Sequence, residues 1–105
     1  MLKKKILIFS FFLITTTAQA ADMTVSEEHL DFIPGNIAVS KGDAIIFANN
    51  DDVVHNLQVT DSEGTSEDKG LQKPGEDTKV AFDESGEYYV RCAIHPKMKI
   101  TVTVK

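Results

Sequence analysis

Short runs rich in β-branched and aromatic residues, separated by turn residues, recur along the chain after residue 20. In residues 100–104 (I-T-V-T-V) and residues 57–60 (L-Q-V-T), apolar and polar side chains alternate. A period of two residues is typical of a β-strand with one buried face. No window after residue 20 keeps an apolar face at helical spacing for long enough to predict a helix. The pattern therefore predicts an all-β protein.

The strand prediction covers most of the chain after residue 20. The predicted strands comprise residues 23–25, 36–40, 44–48, 53–60, 78–82, 87–92 and 100–104. Residues 61–77 are too polar to form core, so we expect a long surface connection there with at most one irregular strand. Seven to eight short strands without helices predict an antiparallel β-sandwich with Greek-key connections.

The strand that ends at the only cysteine has a readable orientation. Side chains alternate between the two faces of a strand. If Cys92 points inward, Val90 and Tyr88 do so too, and Tyr89 and Arg91 face outward. A charged residue beside the cysteine is then compatible with a buried thiol.

The first 20 residues predict an export signal. Lysines at residues 3–5 precede an almost uninterrupted apolar run at residues 6–14, and residues 18–20 (A-Q-A) have the small-x-small pattern that a signal peptidase accepts. The apolar run is too short for a permanent membrane helix, and no cysteine near the cleavage site could carry a lipid anchor. We expect cleavage after Ala20, export to the periplasm, and a single domain at residues 21–105 without a membrane anchor.

Charge separates the predicted domain from the signal. All 16 acidic residues but only 8 of the 11 basic residues lie after residue 20, which gives the domain a net charge of about −8. Such a balance argues against nucleic acid or anionic membrane surfaces as partners. It is compatible with a basic protein partner, or with a surface that only keeps a monomer soluble.

Four side chains form the candidate metal site. Cys92, His95 and Met98 follow the spacing C-x2-H-x2-M, and His55 lies upstream at the end of a V-V-H segment. A β-sandwich brings strands that are distant in sequence together at one end, so these side chains are predicted to share one cavity. A single cysteine forms no internal disulfide, and an exported protein gains nothing from an exposed thiol.

Two imidazoles, one thiolate and one thioether narrow the choice of metal. Structural zinc has little use for a thioether, and calcium and magnesium prefer oxygen. Two His and one Cys with a weak axial Met are typical of a blue-copper electron-transfer site. Each residue alone would be ordinary, since a lone Cys is most often a small buried hydrophobe. Together they predict one type 1 copper ion.

The motifs resemble those of the cupredoxins, the small blue-copper family that includes plastocyanin, pseudoazurin and amicyanin. The loop C-A-I-H-P-K-M (residues 92–98) most resembles that of amicyanin in its spacing and in the Pro after the His. Residues 32–43, the N-D-D-V-V-H-N segment around His55, residues 73–76 and residues 86–92 also match, in family order. The resemblance implies the same four copper ligands.

Three positions depart from the family pattern. In the family, the side chain of the Asn after the first His, here Asn56, ties the ligand loops through a Ser or Thr after the Cys. Ala93 has no hydroxyl, so that tie is expected to be absent or redirected to backbone. Ile94 stands where amicyanin-like loops often carry Pro, and Arg91 replaces an aromatic or neutral residue. His29 has no ligand counterpart and is expected to be exposed.

The resemblance implies a periplasmic carrier of single electrons that cycles Cu(II)/Cu(I), with His95 as the route to the surface and an apolar docking patch of Ala93, Ile94 and Pro96 around it. Expected partners are redox proteins such as a c-type cytochrome or a periplasmic dehydrogenase. An enzyme is not expected, because four ligands leave no open position for a substrate. The alternative is a copper carrier or scavenger that delivers the ion without redox cycling.

Overall fold

The computed structural model describes residue 10 and residues 20–105. The regular secondary structure in these residues consists of β-strands. The nine strands are β1 (Asp22–Glu28), β2 (Asp31–Ile33), β3 (Ile37–Val39), β4 (Ala44–Asn49), β5 (His55–Thr60), β6 (Ser66–Gln72), β7 (Asp77–Ala81), β8 (Gly86–Cys92) and β9 (Lys99–Val104). The predicted signal peptide lies outside the described residues, except for positions 10 and 20. No helix in the described residues is long and apolar enough to cross a membrane.

The strands form two sheets. One has the order β2-β1-β4-β7, and the other has the order β3-β9-β8-β5-β6. The predicted all-β sandwich is confirmed, although its sheets are mixed and not purely antiparallel, since β1 pairs in parallel with β4 and β3 with β9. Parallel neighbours need a long connection. The segment between β1 and β4, which includes β2 and β3, supplies one for the first pair.

The core lies between the inner faces of the two sheets. Phe32 and Phe47 from the four-stranded sheet and Leu57 and Val90 from the five-stranded sheet are almost completely buried. The two phenylalanine rings meet edge to face with centroids 5.9 Å apart, a favourable arrangement for aromatic pairs. Cys92 belongs to the same buried cluster. The candidate metal site therefore continues the core at one end.

The orientation predicted for β8 is confirmed. Val90 and Cys92 are fully buried, and Tyr88 packs partly buried against the core. Tyr89 is 49% exposed and Arg91 is exposed. The thiol points into the sandwich because Cys92 lies two residues after buried Val90 and so shares its face of β8.

The polar segment at residues 61–77 contains a regular strand, which is more order than the sequence predicts. β6 pairs antiparallel with β5 at the edge of the five-stranded sheet. Most of its side chains face solvent, and Gln72 is the only buried one. An edge strand with no buried face needs no apolar alternation, so its sequence has the composition of a loop.

Candidate metal centre

The end of the sandwich where β5 begins and β8 ends brings the candidate ligands together. β5 begins at His55 and β8 ends at Cys92, and the antiparallel register pairs Leu57 with Cys92. The following loop carries His95 and Met98 before β9 begins. Two distant parts of the sequence meet here because β5 and β8 are adjacent strands.

The Cys92 thiol is fully buried and faces the buried His55 ring. Its Sγ lies 3.6 Å from Nδ1 of His55, and the backbone N–H of Asn56 donates a hydrogen bond to it at 3.3 Å. This N–H is directed at the sulfur atom that would bind a metal, as a thiolate. A thiolate beside an imidazole nitrogen fits a soft or borderline transition metal.

The loop between β8 and β9 folds back through two backbone hydrogen bonds. Met98 N–H donates to the His95 carbonyl at 2.8 Å, and Cys92 N–H donates to the Met98 carbonyl at 3.0 Å. The His95 ring packs edge to face on the His55 ring, with centroids 5.1 Å apart and planes at 78°. Nε2 of His95 is buried and has no hydrogen-bond partner in the part of the chain that the structure describes, and Met98 is fully buried. The loop thus brings the His95 ring against the His55 ring and buries Met98 in the same core cluster as Cys92.

Two of the four candidate ligands, His55 and Cys92, face each other directly. Among the described residues, no three His, Cys, Asp or Glu side chains are arranged to hold a metal ion. Cys92 and His55 face each other, whereas the ring of His95 rests against that of His55. The assignment of all four ligands to one ion stays a prediction.

Asp51 holds the outer nitrogen of His55, with Oδ2 2.7 Å from Nε2. Burial alone would raise the pKa of Asp51, but hydrogen bonds from the His55 ring and from the backbone N–H groups of Leu30 and His29 together hold that pKa below its usual value. A carboxylate on one ring nitrogen fixes the imidazole tautomer and orientation. In the tautomer that carries its proton on Nε2, Nδ1 is free to bind a metal ion on the side of Cys92.

Asp51 was not predicted from the sequence as part of the site. Asp51 and Asp52 stand side by side in a polar turn four and three residues before His55. The loop conformation, which buries most of the Asp51 side chain and leaves Asp52 exposed, decides between them. A carboxylate close in sequence to a predicted His ligand was the only available signal.

The Asn56 side chain bonds to β6 and not to the loop after Cys92. Its Nδ2 donates to Oδ1 of Asp68 at 3.0 Å and to the carbonyl of Gly70 at 3.2 Å. The hydrogen bond of the Asn56 side chain is therefore redirected. One acceptor is the backbone carbonyl of Gly70, as expected, and the other is the carboxylate of Asp68, which was not predicted from the sequence. The ligand loops are joined by backbone, because Ala93 N–H donates to the Asn56 carbonyl at 3.2 Å.

A surface cavity of about 450 Å³ lies over the His95 loop. Its lining residues are His29, Leu30, Ile94, His95, Pro96 and Lys97. Leu30 and Ile94 are large apolar side chains that remain about half exposed, at 48% and 49%. His29 is exposed as expected, and it shares this surface with His95. The turn between β1 and β2 therefore contributes to the surface above the candidate site.

A two-sheet β-sandwich with one buried thiol, two imidazoles and a thioether at one end defines the class of small copper-binding β proteins. The chain matches the family described as "Copper binding proteins, plastocyanin/azurin family" over residues 19–105. It belongs to this family, and its cofactor is copper. The cupredoxin resemblance stated from the motifs is confirmed.

Relatives and solved structures agree with this assignment. The chain is 33% identical over 89 residues to "Methylamine utilization protein MauL" of Methylophilus methylotrophus, covering 83% of this chain and 50% of that protein. It is 32% identical over 90 residues to the protein of the same name from Methylorubrum extorquens, covering 84% and 79%. A Cu(I) structure of an amicyanin mutant has a TM-score of 0.73 over 86% of this chain and 87% of that chain, at 20% identity. The structural match shows the shared fold.

Proposed function

We propose that this protein carries single electrons as a blue-copper protein, with His55, Cys92, His95 and Met98 as the ligands of one type 1 copper ion. Bound copper supplies the redox chemistry by alternating between Cu(II) and Cu(I). The observation that carries the proposal is the fully buried Cys92 thiol, 3.6 Å from Nδ1 of His55. Membership in a copper-binding family supports it.

The chain's own residues provide a site that changes little between the two oxidation states. Imidazole suits the oxidised ion and sulfur suits the reduced ion, so the mixed set is a compromise between both. Paired strands β5 and β8 hold His55 and Cys92 in a fixed register within the packed core. Because packed cores resist deformation, little rearrangement accompanies a change of charge, and electron transfer is fast.

The His95 loop is the proposed contact point with redox partners. His95 lies on the loop that closes the site, and exposed Leu30 and Ile94 line the cavity around it. A small apolar surface suits brief, weak encounters. The site does not support an enzyme, because four protein ligands leave no open position for a substrate.

We infer that the partners are periplasmic redox proteins, such as a c-type cytochrome or a dehydrogenase. The net charge of about −8 after residue 20 would steer a basic partner toward the protein. The amicyanin-like spacing of residues 92–98 suggests a dehydrogenase as one partner by analogy. Two relatives are named for methylamine utilization. The predicted signal at residues 1–20 supports export to the periplasm.

Electrochemistry of the copper-loaded protein tests the proposed role. We expect one equivalent of copper to bind, with a reversible one-electron wave and fast electron self-exchange. Ready transfer of the ion to an acceptor protein, without a reversible wave, would instead support the alternative of a copper carrier or scavenger. His29→Ala is the control, because His29 lines the surface cavity but is not a predicted ligand.

Asp51→Asn is expected to raise the reduction potential by roughly 50 mV. The Asp51 carboxylate carries a negative charge and is bonded to His55. Removing this charge makes reduction of the copper site more favourable by about 1 kcal/mol at the effective dielectric of a protein surface. The measurement is the midpoint potential, with the exposed neighbour Asp52→Asn as the charge-matched control. Equal shifts in both variants would show that the hydrogen bond to His55 has no special effect.

A further inference from the structure

We propose that Asp68 is a positioning residue for the Cys92 thiolate and that it acts through Asn56. Asp68 lies on β6, a strand that carries none of the predicted ligands. Its carboxylate anchors the residue whose backbone N–H bonds to the sulfur. The redox consequence of this anchor rests on the proposed function, whereas the anchor itself does not.

A β-bulge brings Asp68 into reach of Asn56. The pairing of β5 with β6 shifts between Leu57, which faces Gly70, and Gln58, which faces Asp68, so one residue of β6 has no partner. Gly70 has a φ of 98°, in the region that favours glycine. The local fold directs Oδ1 of Asp68 to accept hydrogen bonds from Gly70 N–H at 2.7 Å and from Asn56 Nδ2 at 3.0 Å.

Asn56 connects this anchor to the sulfur. The residue is 8% exposed, and its backbone N–H donates to Sγ of Cys92 while its carbonyl accepts from Ala93 N–H. Fixing the Asn56 side chain therefore also restrains the two backbone groups that contact the ligand loop. A charged acceptor gives a stronger hydrogen bond than a neutral one, so Asp68 is expected to contribute more than the Gly70 carbonyl.

This chain depends on Asp68 because position 93 offers no alternative. Ala93 has no hydroxyl, and among the described residues Nδ2 of Asn56 has only Asp68 and Gly70 as acceptors. The anchor has thus moved from the loop that follows the cysteine to the neighbouring edge strand. A substitution of Asp68 on β6 should therefore alter the hydrogen bond to the Cys92 sulfur through the Asn56 side chain.

Asp68→Ala and Asp68→Asn form a charge-matched pair that isolates the hydrogen bond. Both remove the charge, but only Asn retains an acceptor oxygen at the same place. In copper-free protein, we expect Asp68→Ala to accelerate hydrogen exchange of the Asn56 backbone N–H by about tenfold, which equals about 1.4 kcal/mol, and Asp68→Asn to change it little. In copper-loaded protein, Asp68→Ala should have a lower reduction potential than Asp68→Asn, since a weaker hydrogen bond to sulfur favours the oxidised ion.

Glu67→Ala is the control for loss of a carboxylate from β6, since Glu67 is exposed and pairs with Lys69. It should leave exchange at Asn56 unchanged. If the core amide of Val90 exchanges in Asp68→Ala as slowly as in wild type, that variant is folded. If Asp68→Ala does not fold, Asn56→Ala is compared with wild type in its place, because it removes the side-chain donor of the same hydrogen bond. Equal exchange of the Asn56 N–H in Asp68→Ala and wild type, or of the Ala93 N–H in Asn56→Ala and wild type, overturns the proposal. Faster exchange without a reversible wave would support the anchor and contradict only the electron-carrier role.

Discussion

Cys92→Ser is expected to abolish the intense visible absorption of the copper-loaded protein and to lower its copper affinity by more than about 100-fold. The absorption of a blue-copper site comes from the copper–thiolate bond, and a serine hydroxyl stays protonated at neutral pH. Replacing a residue that only supports a metal ligand typically costs about 10-fold to 100-fold in affinity, so loss of a ligand should exceed that range. Titration with Cu(II), followed by visible spectroscopy, measures both effects.

The variant should still fold without copper, which separates a site effect from a structural one. A serine oxygen can accept the Asn56 N–H that now reaches Sγ, so the buried position keeps a hydrogen bond. We expect a loss of about 1–2 kcal/mol in unfolding free energy. His29→Ala is the matched control and should retain the full absorption. An unchanged spectrum in Cys92→Ser would show that Cys92 is not a ligand.

The parts of the structure that follow from local sequence were predictable. Alternation placed Val90 and Cys92 inside and Arg91 outside, because the period of two residues is a property of one strand. The spacing of Cys92, His95 and Met98 identified the candidate loop, because these three residues are close together in the sequence. The pairing of β5 with β8 that brings His55 to Cys92 required the sandwich architecture, which the absence of helical periodicity predicted.

The residues that the sequence did not reveal act across strands or through loop conformation. Asp68 reaches Asn56 only because a bulge shifts the register of β6 against β5. Asp51 reaches His55 only because its loop turns inward and receives N–H groups from the turn between β1 and β2. Exposed carboxylates are common on a protein of this charge, so nothing in the composition distinguishes these two from the others.

A buried glutamate on β1 was also hidden in the sequence, where it lies between polar neighbours. Glu27 is fully buried, and neither of its carboxylate oxygens has a hydrogen-bond partner within residues 20–105. Burial, and then the charge of Asp51, raise the pKa of Glu27 to about 7, although the nearby Gln72 side chain offsets part of the increase. Below about pH 7, the folded protein therefore favours protonated Glu27.

The pKa of Glu27 makes the stability fall as pH rises. Below about pH 4.5, the folded and unfolded chains both carry the proton. Between about pH 4.5 and 7, the unfolded chain releases the proton and the folded chain keeps it, so the free energy of unfolding decreases with increasing pH. A shift of this size corresponds to about 3 kcal/mol, and the loss is complete above pH 7.

Glu27→Gln is expected to remove this dependence, because a neutral side chain of the same shape has no proton to lose. At pH 8 the variant should be more stable than wild type by about 2–3 kcal/mol, and near pH 4.5 the two should be nearly equal. Urea denaturation of the copper-free proteins across this range measures the difference between the two unfolding free energies. Glu28→Gln is the control, since Glu28 is only half-buried and accepts a hydrogen bond from Ser26. It should follow the wild-type profile, and parallel profiles for wild type and Glu27→Gln would show that Glu27 is ionised in the folded protein throughout.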